Sequence, residues 1–183
     1  PGAIDIPRGV VLEAPNLGWI NLPLKRILED RLKCPVIVDN DVNGAVWGEF
    51  CLGAGKPRSK VSTKSAARND VMGVWMGTGV GGGLVIGGKL FHGEFFTAGE
   101  VGHTVLFPHG KNTRRTVEDF CSRTGMARTI SLRLKDFPKS KLRELTEGTG
   151  KVTGSRQLAQ AFKMRDPLAV QVVNEAADLL GIS

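Results

Sequence analysis

Five glycines in seven positions, Gly77-Thr78-Gly79-Val80-Gly81-Gly82-Gly83, constrain this chain more than any other stretch. Glycine weakens helices and strands alike, and it is used where backbone turns with φ > 0 or approaches another group closely. The flanks are strand-like, Val71-Met72-Gly73-Val74-Trp75-Met76 before the run and Leu84-Val85-Ile86 after it. A β-hairpin is expected, with residues 77–83 as a tip of bare backbone amides. Such a tip can cradle phosphate oxygens; a plain hairpin with a flexible tip fits the composition equally well. Further on, Gly87-Gly88-Lys89-Leu90-Phe91-His92-Gly93 and Ala98-Gly99-Glu100-Val101-Gly102-His103 set a carboxylate and an imidazole three residues apart. That pair is suited to gripping hydroxyls.

Ahead of the hairpin, turn signals at Pro1-Gly2, Pro7-Arg8-Gly9 and Pro15-Asn16 surround the apolar Val10-Val11-Leu12, which predicts loops with one strand. Leu24, Ile27, Leu28 and Leu32 recur at helical spacing. A helix is expected there, with Asn21 as its cap, Pro23 as an early proline and one face on a sheet. Pro35 ends it, and Val36-Ile37-Val38 is the wholly apolar run of a buried parallel strand. At that strand's carboxyl end stand Asp39, Asn40 and Asp41, followed by a helix with Val42, Ala45, Val46 and Glu49 on one side. Ligands of open α/β sheets bind at strand ends, so these polar side chains have a functional reading; capping of the helix by Asn40 or Asp41 is the alternative. After His103, Thr104-Val105-Leu106-Phe107 alternates as a strand does. Helices are expected over residues 124–134 and 155–164, with a polar connection over 136–154. Asp166-Pro167 caps a last helix with Leu168, Val172, Ala176 and Leu179 inward.

With 183 residues, 41% of them hydrophobic, the chain can bury the core of one ordinary domain or a lobe and a half. No run reaches the ~18 apolar residues of a membrane span, and no basic segment followed by an apolar core opens the sequence, so a soluble, cytoplasmic protein is expected. Cys34, Cys51 and Cys121 are widely spaced and form no CxxC pair, which points to free thiols. The formal charge of +7 suits phosphate-bearing ligands and permits polyanions. Lys56, Arg58, Lys60, Lys64 and Arg68 crowd a stretch without acids or aromatics. That reads as a solvated surface loop over residues 56–69 rather than a nucleic-acid platform, which would add stacking aromatics.

The string GTGVGGGLVIGGKLFHGEFFTAGEVGH, with VDNDVNGAVWGE upstream, resembles the signature of the ROK family of sugar kinases and repressors. The likeness extends to PGAIDIPRGVVLEAPNLGW at the start and DPLAVQVVNEAADLLGI at the end. It implies an α/β chain with an actin-like, hexokinase-like ATPase fold, built on a ribonuclease H-like motif in two lobes. Only part of that fold is expected here. Residues 1–40 would be the remainder of the small amino-terminal lobe, residues 41–183 the larger sugar-binding lobe with the glycine hairpin, and residues 56–69 an inserted basic loop. Relatives also carry an upstream DxGxT phosphate loop and later strands near the adenosine, so the chain is expected to be the middle of such a protein.

The resemblance implies a glucokinase-like hexose kinase that moves the γ-phosphate of ATP, with magnesium, to a sugar hydroxyl. The alternative is a ROK-type transcriptional regulator or a non-catalytic sugar-binding protein. Asp41 takes the place of the base, since a carboxylate of ordinary pKa near ~3.9 is ionised at neutral pH and can accept the hydroxyl proton. Asn40 would hold the adjacent hydroxyl, and Glu100, His103 and Glu118 the others. Asn16 would border the sugar pocket, with a turn-forming role equally open. Gly77, Thr78, Gly79 and Gly81 would meet the nucleotide phosphates. Many members follow the GExGH histidine with a CxCGxxGC segment that holds zinc, whereas Lys111-Asn112-Thr113-Arg114-Arg115-Thr116 stands here. One histidine without cysteines cannot complete a closed four-ligand site, so no structural zinc is expected. Expected partners are a hexose and a nucleotide, with no membrane, no nucleic acid and a homodimer left open. The isolated chain is expected to bind hexose without phosphorylating it. Phe95 and Phe96 stand where relatives often have small residues, and nothing beyond altered pocket packing accounts for them.

Overall fold

The computed structural model describes residues 2–56, 70–108, 115–146 and 155–183. The expected basic loop lies outside the described residues except for Lys56. The chain packs as two compact units, Pro1–Val74 with Gly82–Glu100, and Trp75–Gly81 with Val101–Ser183. The lobe boundary expected at residues 40 and 41 belongs to the complete fold that the resemblance implies, and stays a proposal. Among the described residues no helix is long and apolar enough to cross a membrane.

The first unit opens on an antiparallel sheet of β1 (Ala3–Asp5), β2 (Val10–Ala14) and β3 (Trp19–Leu22), in that order. Only β2 was legible as a strand. Its partners are three and four residues long, too short for period-two alternation to stand out, and pairing holds them: Ile4 lies opposite Val11, and Val11 opposite Leu22. Helix α1 (Leu24–Leu32) follows, but Asn21 does not cap it. Asn21 sits on β3 with φ 48°, and Pro23 holds the cap position without a side-chain bond. No residue of α1 is fully buried, but Leu24, Ile27 and Leu28 are half-buried on one face and the helix touches β2 of the sheet. Residues 36–38 form no strand. A strand exists only through a hydrogen-bonded neighbour, and no described strand pairs with this run, so Ile37 is 90% exposed while Val38 is buried.

Helix α2 (Asp41–Leu52) and the strands β4 (Val71–Met76), β5 (Val80–Ile86) and β6 (Lys89–Phe91) build the unit's core, the sheet running β4-β5-β6. Val46 and Phe50 of α2 pack on Val85 of β5, with Val42, Cys51, Val71 and Leu90 around them. Full burial of such side chains contributes about 1.5–3 kcal/mol each. Gly87 and Gly88 join β5 to β6 with φ of 59° and 77°, the two-residue turn that needs left-handed backbone at both positions.

In the second unit, a short 3-10 turn (Val101–His103) leads not to the strand expected over residues 104–107 but to a single bridge, Val105 to Thr116. The chain leaves that bridge at once, because Thr116 and Asp119 close a capping box on α3 (Val117–Cys121). Ser122 ends α3 and caps α4 (Arg123–Arg133) through Gly125 N–H. Then come α5 (Leu142–Leu145), which the polar connection had hidden, α6 (Ser155–Lys163) and α7 (Pro167–Ile182). Ile130, Leu142, Leu158, Leu168 and Val172 form one core of this unit, and Val80, Val117, Cys121 and Ala176 a second. Asp166 caps α7 as expected, and also accepts from Ser140 Oγ at 3.1 Å and Lys141 N–H at 2.6 Å, which ties α5 to α7.

Candidate functional site

In the first unit the polar group of interest is the amino end of α2. Asn40 is its cap, its Oδ1 accepting from Val42 N–H at 2.8 Å and Asn43 N–H at 3.4 Å. Capping therefore uses the side-chain oxygen and leaves the amide nitrogen for another acceptor. Asp41 is the first residue of the helix and is exposed, so its carboxylate stands where the helix dipole favours negative charge. Asp39, which the sequence offered only as one of three polar residues, is the hub. Its Oδ1 accepts from Asn40 N–H at 2.7 Å and from Asn43 Nδ2 at 2.9 Å, and its Oδ2 accepts from His92 Nε2 at 2.7 Å.

The glycines on β5 serve this arrangement by letting backbone come close. A Cβ on Gly83 would lie 2.8 Å from Val46 Cγ2, so only glycine lets α2 settle on the strand. Gly99, at φ 88°, would place a Cβ 2.7 Å from the Gly82 carbonyl oxygen; the segment that ends in Glu100 lies directly on this stretch of β5. Glu100 and His103 are both exposed. Asn16 stands at the tip of the β2–β3 connection, where Leu17 N–H meets the Ala14 carbonyl, and the structure does not bring it into hydrogen bonding with the α2 cap.

In the second unit the hairpin tip is shorter than expected, because β5 already begins at Val80 and only Gly77, Thr78 and Gly79 turn. None of these glycines has a positive φ. Small size matters at Gly79, where a Cβ would collide with the Glu118 carboxylate, which accepts from Val80 N–H at 2.9 Å, whereas a Cβ on Gly77 would meet nothing within 4 Å. Two of the expected bare amides are thus already engaged, Val80 with Glu118 and Gly77 with the Gly79 carbonyl at 2.8 Å. The amides of Thr78 and Gly79 remain at the turn, whereas Gly81 lies within the strand. Helix α4 braces the turn from its first residues. Arg123 N–H donates to Gly77 O at 2.9 Å, Arg123 Nη2 to Thr78 Oγ1 at 2.6 Å, and Thr124 Oγ1 to Thr78 O at 2.8 Å. A hydroxyl that accepts from a guanidinium still has its own proton to donate, so Thr78 O–H and Arg123 together offer donors to an anion.

Sequence reasoning missed Asp39 as a hub, His92, Asn43 and Arg123. A charged residue two before a helix start is no signal by itself, and His92 and Arg123 find their partners 53 and 45 residues away. Among the described residues no group of three or more His, Cys, Asp or Glu is placed to hold a metal; residues 111–114 of the segment that stands in place of the zinc cysteines lie outside the described residues.

A family model described as ROK family matches residues 1–183. The glucokinase of Halalkalibacterium halodurans is 36% identical over 188 residues, covering 100% of this chain and 54% of that protein. A xylose repressor of Caldicellulosiruptor bescii is 32% identical, covering 100% of this chain and 44% of that one. Among solved structures, a ROK family glucokinase from Streptomyces griseus in complex with glucose and AMPPNP superposes with a TM-score of 0.81 at 34% identity, covering 98% of this chain and 56% of that one. The chain therefore spans about half the length of the relatives it matches. Its mixed α/β architecture is part of their actin-like ATPase fold.

Proposed function

The chain belongs to the ROK family, and on that premise we propose that the intact protein is a glucokinase-like sugar kinase that transfers the γ-phosphate of ATP to a hexose hydroxyl. The observation that carries this reading is the amino end of α2, where a capped helix presents the Asp41 carboxylate beside the spare amide of Asn40. Asp41 is the base for the acceptor hydroxyl and Asn40 the donor to its neighbour. Glu100, His103 and Glu118 bind further hydroxyls, with Asn16 at the pocket's border. Gly77, Thr78 and Gly79 meet the phosphates through amides and a hydroxyl, with Gly81 behind them in the strand and Arg123 beside them. Phosphoryl transfer depends mainly on positioning and on stabilising charge, which is what such donors supply. Magnesium, when bound with the nucleotide, neutralises phosphate charge. The described residues offer it no cluster of three or more His, Cys, Asp or Glu.

The similarity to a xylose repressor supports a second reading, a sugar-sensing regulator that keeps the hexose pocket without turnover. One pair of measurements on the intact protein separates the two. Calorimetry with glucose, fructose, mannose and N-acetylated hexosamines, beside a coupled ATP assay, is expected to give binding and turnover with the same sugar. Binding without turnover would favour the regulator; neither would remove both.

A further inference from the structure

Two segments that the proposed function uses are joined by a hydrogen bond between His92 and Asp39. His92 opens the loop that runs from β6 to Glu100, and Ala98 N–H donates back to the His92 carbonyl at 3.0 Å, which closes that loop on itself. Its ring stands edge-on to Phe96, with centroids 6.2 Å apart. On the other side, Asp39 holds the amino turn of α2 through the Asn40 amide and the Asn43 side chain, and Asn43 is buried at 4% exposure under β5. The His92 Nε2 to Asp39 Oδ2 bond, 2.7 Å long, is a polar link between loop and helix start.

We infer that His92 is a positioning residue: through Asp39 it sets the α2 cap, and with it Asn40 and Asp41, in register with the loop that carries Glu100. The inference rests on the reading of Asp41 and Asn40 as hexose-facing groups. An ionised carboxylate only accepts, so His92 carries its ring proton on Nε2 and donates it. Both partners are about three-quarters buried, with side-chain exposures of 25% and 21%, where a charge-assisted bond holds its geometry better than at an open surface. The bond has no chemical step of its own. Its effect is orientation, and misplacing a reacting group by roughly 1 Å can cost on the order of 10² in rate.

The test compares His92→Leu, which removes the donor at similar size, with His92→Gln, whose amide can place an N–H near the same point. Kinetics on the intact protein are read beside hydrogen exchange at the Val42 and Asn43 amides, which Asn40 caps. His92→Leu should lower kcat/KM for the hexose roughly 10- to 100-fold, leave KM for the nucleotide unchanged, and speed exchange at those two amides. His92→Gln should recover most of both losses. Unchanged exchange in His92→Leu overturns the inference whatever the kinetics. Faster exchange with unchanged hexose kinetics overturns it too, because the bond would then hold only structure. If the wild-type protein acts on no hexose, the proposed function fails, and exchange alone still decides whether the bond sets the cap. Should His92→Leu not fold, nitrogen NMR of the wild-type ring decides the same link: a proton on Nε2 supports it, and a proton on Nδ1 overturns it.

Discussion

Adding one methyl group at Gly83 should disturb the fold and the proposed site together. A Cβ there would lie 2.8 Å from Val46 Cγ2 and 3.1 Å from Asn43 Oδ1. Carbon atoms pack at about 3.5–4.0 Å, so α2 must withdraw by roughly 0.7 Å or Val46 must leave its rotamer. Val46 is wholly buried and has nowhere to swing. Overpacking of this kind costs about 1–3 kcal/mol, and relief of glycine's backbone entropy returns roughly 0.5–1 kcal/mol. Gly83→Ala is therefore expected to be destabilised by about 1–2 kcal/mol in urea unfolding, and to weaken hexose kinetics because Asn40 and Asp41 ride on the displaced helix. Gly48→Ala is the control: it lies inside α2 with nothing within 4 Å of the added carbon, and should gain about 0.5–1 kcal/mol from helix propensity. Wild-type stability in Gly83→Ala would refute the close approach of α2 to β5.

Glu118 separates two roles. Glu118→Gln keeps an acceptor for Val80 N–H and should hold stability while hexose affinity falls in calorimetry; Glu118→Ala should also lose about 1–3 kcal/mol, the cost of an unpaired buried amide. The clasp of α4 to α7, Arg133 Nη1 to both Glu175 oxygens at 2.8 and 2.7 Å, holds the Glu175 carboxyl below its ordinary range, chiefly through that hydrogen bond. A depressed carboxyl stabilises above its unfolded pKa, near ~4.3, and loses that contribution as pH falls through the lower folded value. Both groups are partly exposed, so the clasp is worth at most about 1 kcal/mol, and Glu175→Gln should flatten the acid side of a stability–pH curve by that much. Burial pushes the Cys121 thiol pKa up, and its Sγ donates to the Ala176 carbonyl, so thiol titration of the native protein should modify exposed Cys34 at once and Cys121 only after unfolding.

What the sequence disclosed and what it withheld divide along the range of the interactions. Helices α2, α6 and α7 were legible because periodicity and caps such as Asn40 and Asp166 act within a few residues. The strand expected at Val36-Ile37-Val38 was not formed, since an apolar run states a preference whereas pairing depends on a neighbour elsewhere. The glycine run was rightly singled out, but its reason was not local. Gly79 makes room for Glu118, whose bond to Val80 spans 38 residues, and Gly83 makes room for Val46. The bond from His92 to Asp39 spans 53 residues and had no signature at either end. Asn40 proved to be the cap that was one of its two readings, and its spare amide keeps the other open.

The most direct test of the proposed kinase is Asp41→Asn in the intact protein, measured by calorimetry with the preferred hexose and by a coupled ATP assay on the same preparation. The substitution keeps size and hydrogen-bonding capacity but removes the base. Hexose affinity should stay within a few-fold of wild type while turnover falls by about 10²–10⁴, the contribution of a positioned general base. Wild-type turnover in Asp41→Asn would contradict the assignment.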